Sequence, residues 1–192
     1  DVSQPHDGPL RAGAAAQSAL EIRRQVGVLA EDQQMWGWMR IKEILGFMAP
    51  FYPTWDMGLA VSYVKRFELD LNTRIKNLSK GNKQKVGVIQ AFMHRPELLL
   101  LDEPTSGLDL KACFQYLDLL CAQIRKGKTV LLVTHHLHEI PPEIERVVLL
   151  KEGQIVADGS KANLLTDVNL SRLFDQPVTL VRANGWYQAL PG

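Results

Sequence analysis

Cysteine is nearly absent from this 192-residue chain, with only Cys113 and Cys121 present. Two thiols cannot build the disulfide framework of a small secreted domain, and they fit a reducing cytosol. Long apolar runs are missing too. The run from Leu98 to Leu101 is among the longest, whereas a membrane-spanning helix needs ~20 such residues. No secretory apolar region opens the chain, and there is no internal repeat or low-complexity tract. Neither sign of charge dominates: Lys plus Arg number 22, Asp plus Glu 21, and the net charge is +1. That balance gives no global electrostatic case for nucleic acid or an anionic membrane, so no nucleic acid partner is expected. What is present, 46% apolar and 22% charged residues, is the composition of a globular chain that buries its own core. Residue 1 is Asp rather than Met, which predicts a fragment or a processed chain.

The first twenty residues are rich in Gly, Ala, Pro and Ser without a clean period, which predicts a loose opening with at most one short strand. Residues 25–30 read as a buried strand, and Ile41 to Met48 as a helix broken by Pro50 and Pro53. Asp56 is placed to cap a helix over about 57–68, with Met57, Val61, Val64 and Phe67 near helical spacing. A further helix spans 79–94. The apolar run Glu97 to Leu101 then reads as a strand buried on both faces. Cys113, Phe114, Leu117, Leu120, Cys121 and Ile124 line one side of a helix over 110–125, which makes both cysteines core residues. Strands at 129–134, 146–150 and 154–157, two short helices and a hairpin at Asn184-Gly185 complete the chain. Apolar strands alternating with helices predict an α/β fold with a parallel sheet, and the largely helical stretch 38–95 predicts an inserted subdomain.

The strongest chemical feature is the strand Leu98 to Leu101 delivering Asp102 and Glu103 at its C-terminal end, where α/β sheets hold ligands. Paired carboxylates there suit nucleotide hydrolysis, one helping to hold Mg2+ and the other facing the attacking water. A strand that simply ends in two solvated acids is the alternative. Around the pair stand Leu78-Ser79-Lys80-Gly81-Asn82-Lys83-Gln84-Lys85, Pro104-Thr105-Ser106-Gly107-Leu108-Asp109, and His135 after the next strand. With these motifs in this order, the sequence resembles the ATP-binding-cassette (ABC) ATPases. Leu78 to Lys85 resembles the signature loop, with Lys80 where glycine is commoner. Leu98 to Glu103 resembles the Walker B strand with its catalytic glutamate. Ser106 to Asp109 resembles the D-loop, and His135 the switch histidine.

The resemblance implies an incomplete ABC ATPase domain. Its mostly parallel, RecA-like sheet would be flanked by helices, with an α-helical subdomain inserted. The implied divisions are 1–37 with the Q-loop, 38–95 for the signature subdomain, 96–159 for the core, and 160–192 for a C-terminal appendage. It implies ATP and Mg2+ as cofactors, a second ATPase subunit and a transmembrane permease as partners, and a peripheral place on the cytoplasmic face of the cell membrane. Asp102 would ligate Mg2+ through water, Glu103 would polarise the attacking water, and His135 would contact the γ-phosphate. Ser79, Lys80, Gly81 and Asn82 would clamp ATP held by the opposite subunit, and Asp109 would touch that subunit. The Q-loop position holds Glu31, as in some export-type members, and would join Mg2+ to the permease interface. Trp36-Gly37-Trp38-Met39 reads either as a partner-facing aromatic patch or as packing of the helical subdomain.

Residues 20–109 resemble ABC-2-type exporter ATPases, whereas 130–160 resemble branches related to molybdate and iron-complex uptake. The implied function is an ATP-hydrolysing subunit of a transporter, with export expected. The alternative is a non-catalytic subunit lending only its signature half to a heterodimer. The phosphate-binding P-loop is expected upstream of Glu31, and nothing in residues 1–25 can serve as one. Ala122 to Thr129 satisfies a permissive P-loop pattern. There a helix precedes a strand, however, so the loop meets a helix C-terminus, whose dipole repels phosphate. His135, His136 and His138 also raise a metal site, but no cysteine or carboxylate spacing in the sequence supports it.

Overall fold

The computed structural model describes residues 9–192, with side chains from residue 17 onward. The loose opening expected from composition does not form among the described residues. The opening stretch is helical, α1 (Pro9–Gln25), with residues 1–8 outside the described part. Ala, Leu, Arg, Gln and Glu fill most of residues 10–25, and these are the strongest helix formers, so propensity prevails where apolar periodicity is lacking.

Three strands, β1 (Val26–Leu29), β2 (Leu98–Asp102) and β3 (Thr129–Val133), form one parallel sheet in the order β1-β2-β3. Leu29 pairs with Leu101 and Asp102 with Val133, so the C-terminal strand ends open on one edge. Between β1 and β2 run α2 (Ile41–Met48), α3 (Met57–Arg66) and α4 (Lys80–Phe92), and α5 (Leu110–Arg125) is the crossover from β2 to β3. Two antiparallel hairpins stand apart from this sheet: β4 (Arg146–Lys151) with β5 (Gln154–Ser160), and β6 (Val178–Ala183) with β7 (Trp186–Pro191). Between them lie α6 (Lys161–Leu164) and α7 (Asp167–Phe174). The β6–β7 turn is Asn184-Gly185, both at positive φ, as the right-handed twist of a two-residue hairpin demands. The expected α/β class with a parallel sheet holds.

The sheet has one covered face. Leu29, Leu99 and Leu101 are buried with Val86 and Ile89 of α4 and Tyr116, Leu117 and Leu120 of α5. On the other face Val28 is 52% exposed, Leu131 58% and Val133 51%. The expectation that the β2 strand is buried on both sides therefore fails, since only its alternate leucines are enclosed. The buried stripe of α3 is Ala60, Val64 and Phe67, leaving Met57 and Val61 exposed. On α5, Cys113, Leu117, Leu120 and Cys121 are buried as expected, but Phe114 faces solvent and Tyr116 takes the inner position. In both helices the sequence spacing located the amphipathic face a fraction of a turn from where packing put it. The core of the sheet continues through α2, α3 and α4 without a break. A second, smaller core of Ile140, Leu149, Leu165, Leu170 and Tyr187 lies under the C-terminal elements. Among the described residues no helix is long and apolar enough to cross a membrane.

Candidate functional site

Local chemistry fixes the loops that follow β2 and precede α4. The Ser79 hydroxyl accepts from the Asn82 N–H at 3.2 Å, so Ser79 is the N-cap of α4 and the amides of Lys80 and Gly81 open its first turn. Gly81 lies against the loop after β2, where a Cβ would collide with the Gly107 carbonyl. Gly107 itself has φ +75°, which suits a residue without a side chain. Asp109 caps α5 by accepting from Ala112 N–H at 2.8 Å, and its other oxygen lies 3.2 Å from Lys85 Nζ. The Ala112 N–H and then the Lys85 ammonium hold the Asp109 carboxyl below its usual range.

Glu103 sits just past the end of β2 with φ +42°, a left-handed conformation uncommon outside glycine. Its N–H donates to the Val133 carbonyl at 2.9 Å. Its carboxylate is enclosed, 11% exposed, and meets the segment after β3. Oε1 accepts from the His135 N–H at 2.7 Å and lies 2.7 Å from His135 Nδ1, and Oε2 accepts from the Thr134 hydroxyl at 3.2 Å. An ionised carboxylate can only accept, so Nδ1 donates in this contact. The His135 side chain is 67% exposed.

Asp102, the last residue of β2, is exposed beside Glu103. Glu31 is also exposed, and its Oε1 lies 3.4 Å from both Lys80 Nζ and Ser106 Oγ. Glu31, Lys76, Lys80, Lys83 and Gln84 line one pocket of about 500 Å3, which joins the loop after β1 to the start of α4. The structure thus gathers Glu31, Ser79, Lys80, Gly81 and Ser106 on one side, and Asp102, Glu103 and His135 at the strand ends, with Asp109 beyond. Glu31 is engaged by Lys80, and no hydrogen bond joins it to Asp102.

Sequence reasoning missed three side chains that bind these loops together. Gln84, 4% exposed, donates to the Pro104 carbonyl at 3.1 Å and ties α4 to the loop after Glu103. Thr134 holds Glu103 Oε2. Glu139, fully buried, accepts from the Thr105 N–H at 3.3 Å and from the Thr105 hydroxyl, so the loops after β2 and β3 are pinned to each other. Gln84 lies within the quoted signature stretch, but nothing in the sequence signals its inward direction. The rejected P-loop pattern is what its context implied. α5 ends at Arg125, Gly127 turns at φ +81°, and β3 begins at Thr129. Trp36 and Trp38 are both exposed; Trp36 meets Phe47 edge-on at 5.0 Å, and Phe47 lies 5.3 Å from Phe51.

The chain is similar in sequence and fold to known proteins. The protein-family model described as ABC transporter matches residues 3–106. The chain is 38% identical over 138 residues to the uncharacterized ABC transporter ATP-binding protein YlmA of Bacillus subtilis (strain 168), covering 71% of this chain and 48% of YlmA. It is 28% identical over 186 residues to the energy-coupling factor transporter ATP-binding protein EcfA2 of Thermotoga maritima, covering 93% of this chain and 70% of that one. An ATP-binding cassette solved as a dimer in a post-hydrolysis state with ADP and phosphate superposes with TM-score 0.64 at 26% identity, covering 75% of this chain and 66% of that one. The chain spans about half the length of YlmA.

Proposed function

Because this chain belongs to the ABC transporter family of ATP-binding proteins, we propose that it is part of an ATP-hydrolysing subunit that energises a transmembrane permease from the cytoplasmic face of the membrane. The observation that carries the reading is the enclosed Glu103 carboxylate, held by three groups of the Thr134–His135 segment at the open end of a parallel sheet. A carboxylate fixed in that way is oriented for a water at its free lone pairs, and Glu103 takes the role of polarising that water. His135 serves as the γ-phosphate contact. Phosphate oxygens require a donor, and while Nδ1 donates to Glu103, Nε2 donates only from the doubly protonated ring. Phosphate contact through the Nδ1 proton therefore requires release of Glu103.

Mg2+ is a hard cation that takes one or two carboxylates together with phosphate oxygens and water. The exposed Asp102 carboxylate at the end of β2 fits that donor set, and bound Mg2+ would supply charge neutralisation at the phosphates. Glu31 fits once it releases Lys80. In this reading the Glu31–Lys80 pair, at 3.4 Å and exposed on both sides, is the exchangeable contact between the Q-loop and the signature loop. Ser79, Lys80, Gly81 and Asn82 present the N-terminus of α4, whose Lys80 and Gly81 amides and dipole attract the phosphates of an ATP held by a second ATPase subunit. Asp109 faces the same subunit. The exposed Trp36, Trp38, Phe47 and Phe51 form the permease-facing patch, with residues 38–95 as its subdomain. Export is the direction we favour, on Glu31 at the Q-loop position and the exporter-like stretch 20–109.

The test is Glu103→Gln in a protein that carries residues 1–192 behind a P-loop strand and helix. ATP binding should persist while turnover falls by a factor on the order of 10² or more, and the variant should accumulate as an ATP-bound dimer. Turnover near that of the parent would remove Glu103 from the catalytic role, and absence of turnover in the parent itself would leave the non-catalytic half-site subunit as the reading.

A further inference from the structure

Glu103, His135 and His136 each bring one ligand atom to within 4.8 Å of the others. The sequence alone gave the histidines no carboxylate. The fold supplies one by pairing Asp102 with Val133, which sets Glu103 beside the segment after β3. The His135 and His136 rings lie 4.0 Å apart at their centroids, and the His138 ring lies 5.3 Å from His136. From this juxtaposition we propose that the chain binds one divalent first-row transition-metal ion, Zn2+ in the first instance, through Glu103, His135 and His136.

The donor set supports that class of ion. Two imidazoles and a carboxylate suit Zn2+ and its neighbours, whereas Mg2+ and Ca2+ prefer all-oxygen sets. With bonds of ~2.0–2.1 Å, a four-coordinate ion holds its donors about 3.3 Å apart. The 2.7 Å Glu103–His135 contact must therefore open by several tenths of an ångström, and the His136 nitrogen, within 4.8 Å of the other donors, must draw closer. The exposed His135 ring has room to turn, and the half-buried His136 ring sits on a loop. The Glu103 carboxylate cannot drift, because the Thr134 hydroxyl and the His135 N–H anchor it.

Ion binding stands independently of the ATPase reading. Its consequence rests on that reading: a bound ion would occupy the water-polarising carboxylate and the phosphate-contacting ring together, and so would block hydrolysis.

The experiment is a Zn2+ titration of the untagged chain in the absence of nucleotide, with Co2+ as a spectroscopic probe. Expected is saturable uptake of one ion, with affinity falling at least about tenfold in Glu103→Gln and in His136→Ala. In His138→Ala affinity should stay within about threefold of the parent, and far-UV circular dichroism checks that each variant is folded. The Co2+ form should show the intense visible d–d bands of a four-coordinate site and no thiolate charge-transfer band. The inference is overturned by absence of saturable uptake, by uptake indifferent to Glu103 and His136, by dependence on His138 instead, or by a weak six-coordinate Co2+ spectrum. The Co2+ spectrum decides the matter even where a variant does not fold. A negative result leaves the ATPase reading intact, because that reading is tested by turnover.

Discussion

At the scale of single residues, function and stability meet at buried polar side chains whose direction no sequence pattern announces. His94 is one. It is 2% exposed near the end of the α4 segment, with Nδ1 3.3 Å from the Gln90 carbonyl and Nε2 3.2 Å from the Val26 carbonyl. Burial pushes its imidazole below the usual value, against the opposing pull of the two carbonyls. The folded protein therefore binds fewer protons there than the unfolded chain. The stabilising contribution is complete above about pH 6.5, the unfolded value, and is lost as the pH falls toward the folded one. Urea midpoints measured above and below that value should show a loss on acidification that is smaller in His94→Gln. An equal loss in both proteins would clear His94 of the effect. The cysteines follow the same logic. Burial raises both thiols, Cys121 to about 11, so neither should react with a thiol reagent in the folded protein at neutral pH. Rapid labelling of the native chain would contradict that. These two were legible in the sequence as core residues on one helix face. His94, Gln84 and Glu139 were not, because their burial depends on contacts from residues far along the chain.

At the scale of elements, most of the helices and strands were readable because caps and periodicity agree. Asp56, Ser79 and Asp109 each accept from the N–H three residues on, and each begins a helix within a residue of the expected place. What sequence did not reveal is how closely two elements approach, and the glycines record that. Gly46 lies exposed within α2 with nothing within 4 Å of where a Cβ would be. Gly46→Ala should stabilise the protein by roughly 0.5–1 kcal/mol, by reducing the freedom of the unfolded chain. Gly81 is the opposite case, since a Cβ there meets the Gly107 carbonyl and cannot be accommodated without shifting the loop. Gly81→Ala should cost about 1–3 kcal/mol, with Tm falling by roughly 2–4 °C for each kcal/mol in a domain of this size. Thermal melts of the two variants beside the parent decide both. The opening helix α1 was missed because its residues favour a helix by propensity alone, without the periodic apolar face that pattern reading relies on.

At the scale of the whole molecule, the sheet packs helices on one face and leaves Val28, Leu131 and Val133 uncovered on the other. The alternate burial of β2 states the same fact: a run of four leucines reads as doubly buried, but burial is decided by what lies opposite, and only one side is filled. The phosphate chemistry is asymmetric in the same sense. Residues that polarise water and contact the γ-phosphate are present in the proposed reading, while no strand–P-loop–helix occurs among the described residues, and the P-loop-like string Ala122 to Thr129 joins α5 to β3. This makes a firm prediction for the chain Asp1 to Gly192. P-loop amides and the P-loop lysine hold a triphosphate by charge-assisted contacts of roughly 1.5–3 kcal/mol each. Lacking about four of them weakens binding by on the order of 6–12 kcal/mol, with allowance for non-additivity. That range brackets the ~8 kcal/mol of a micromolar complex. Isothermal titration with Mg-ATP should therefore detect no tight binding and no hydrolysis. In the proposed reading the amides at Ser79 to Gly81 then matter only when a second subunit presents the nucleotide. A micromolar dissociation constant for the chain alone would overturn this account and return attention to Gly127-Lys128-Thr129.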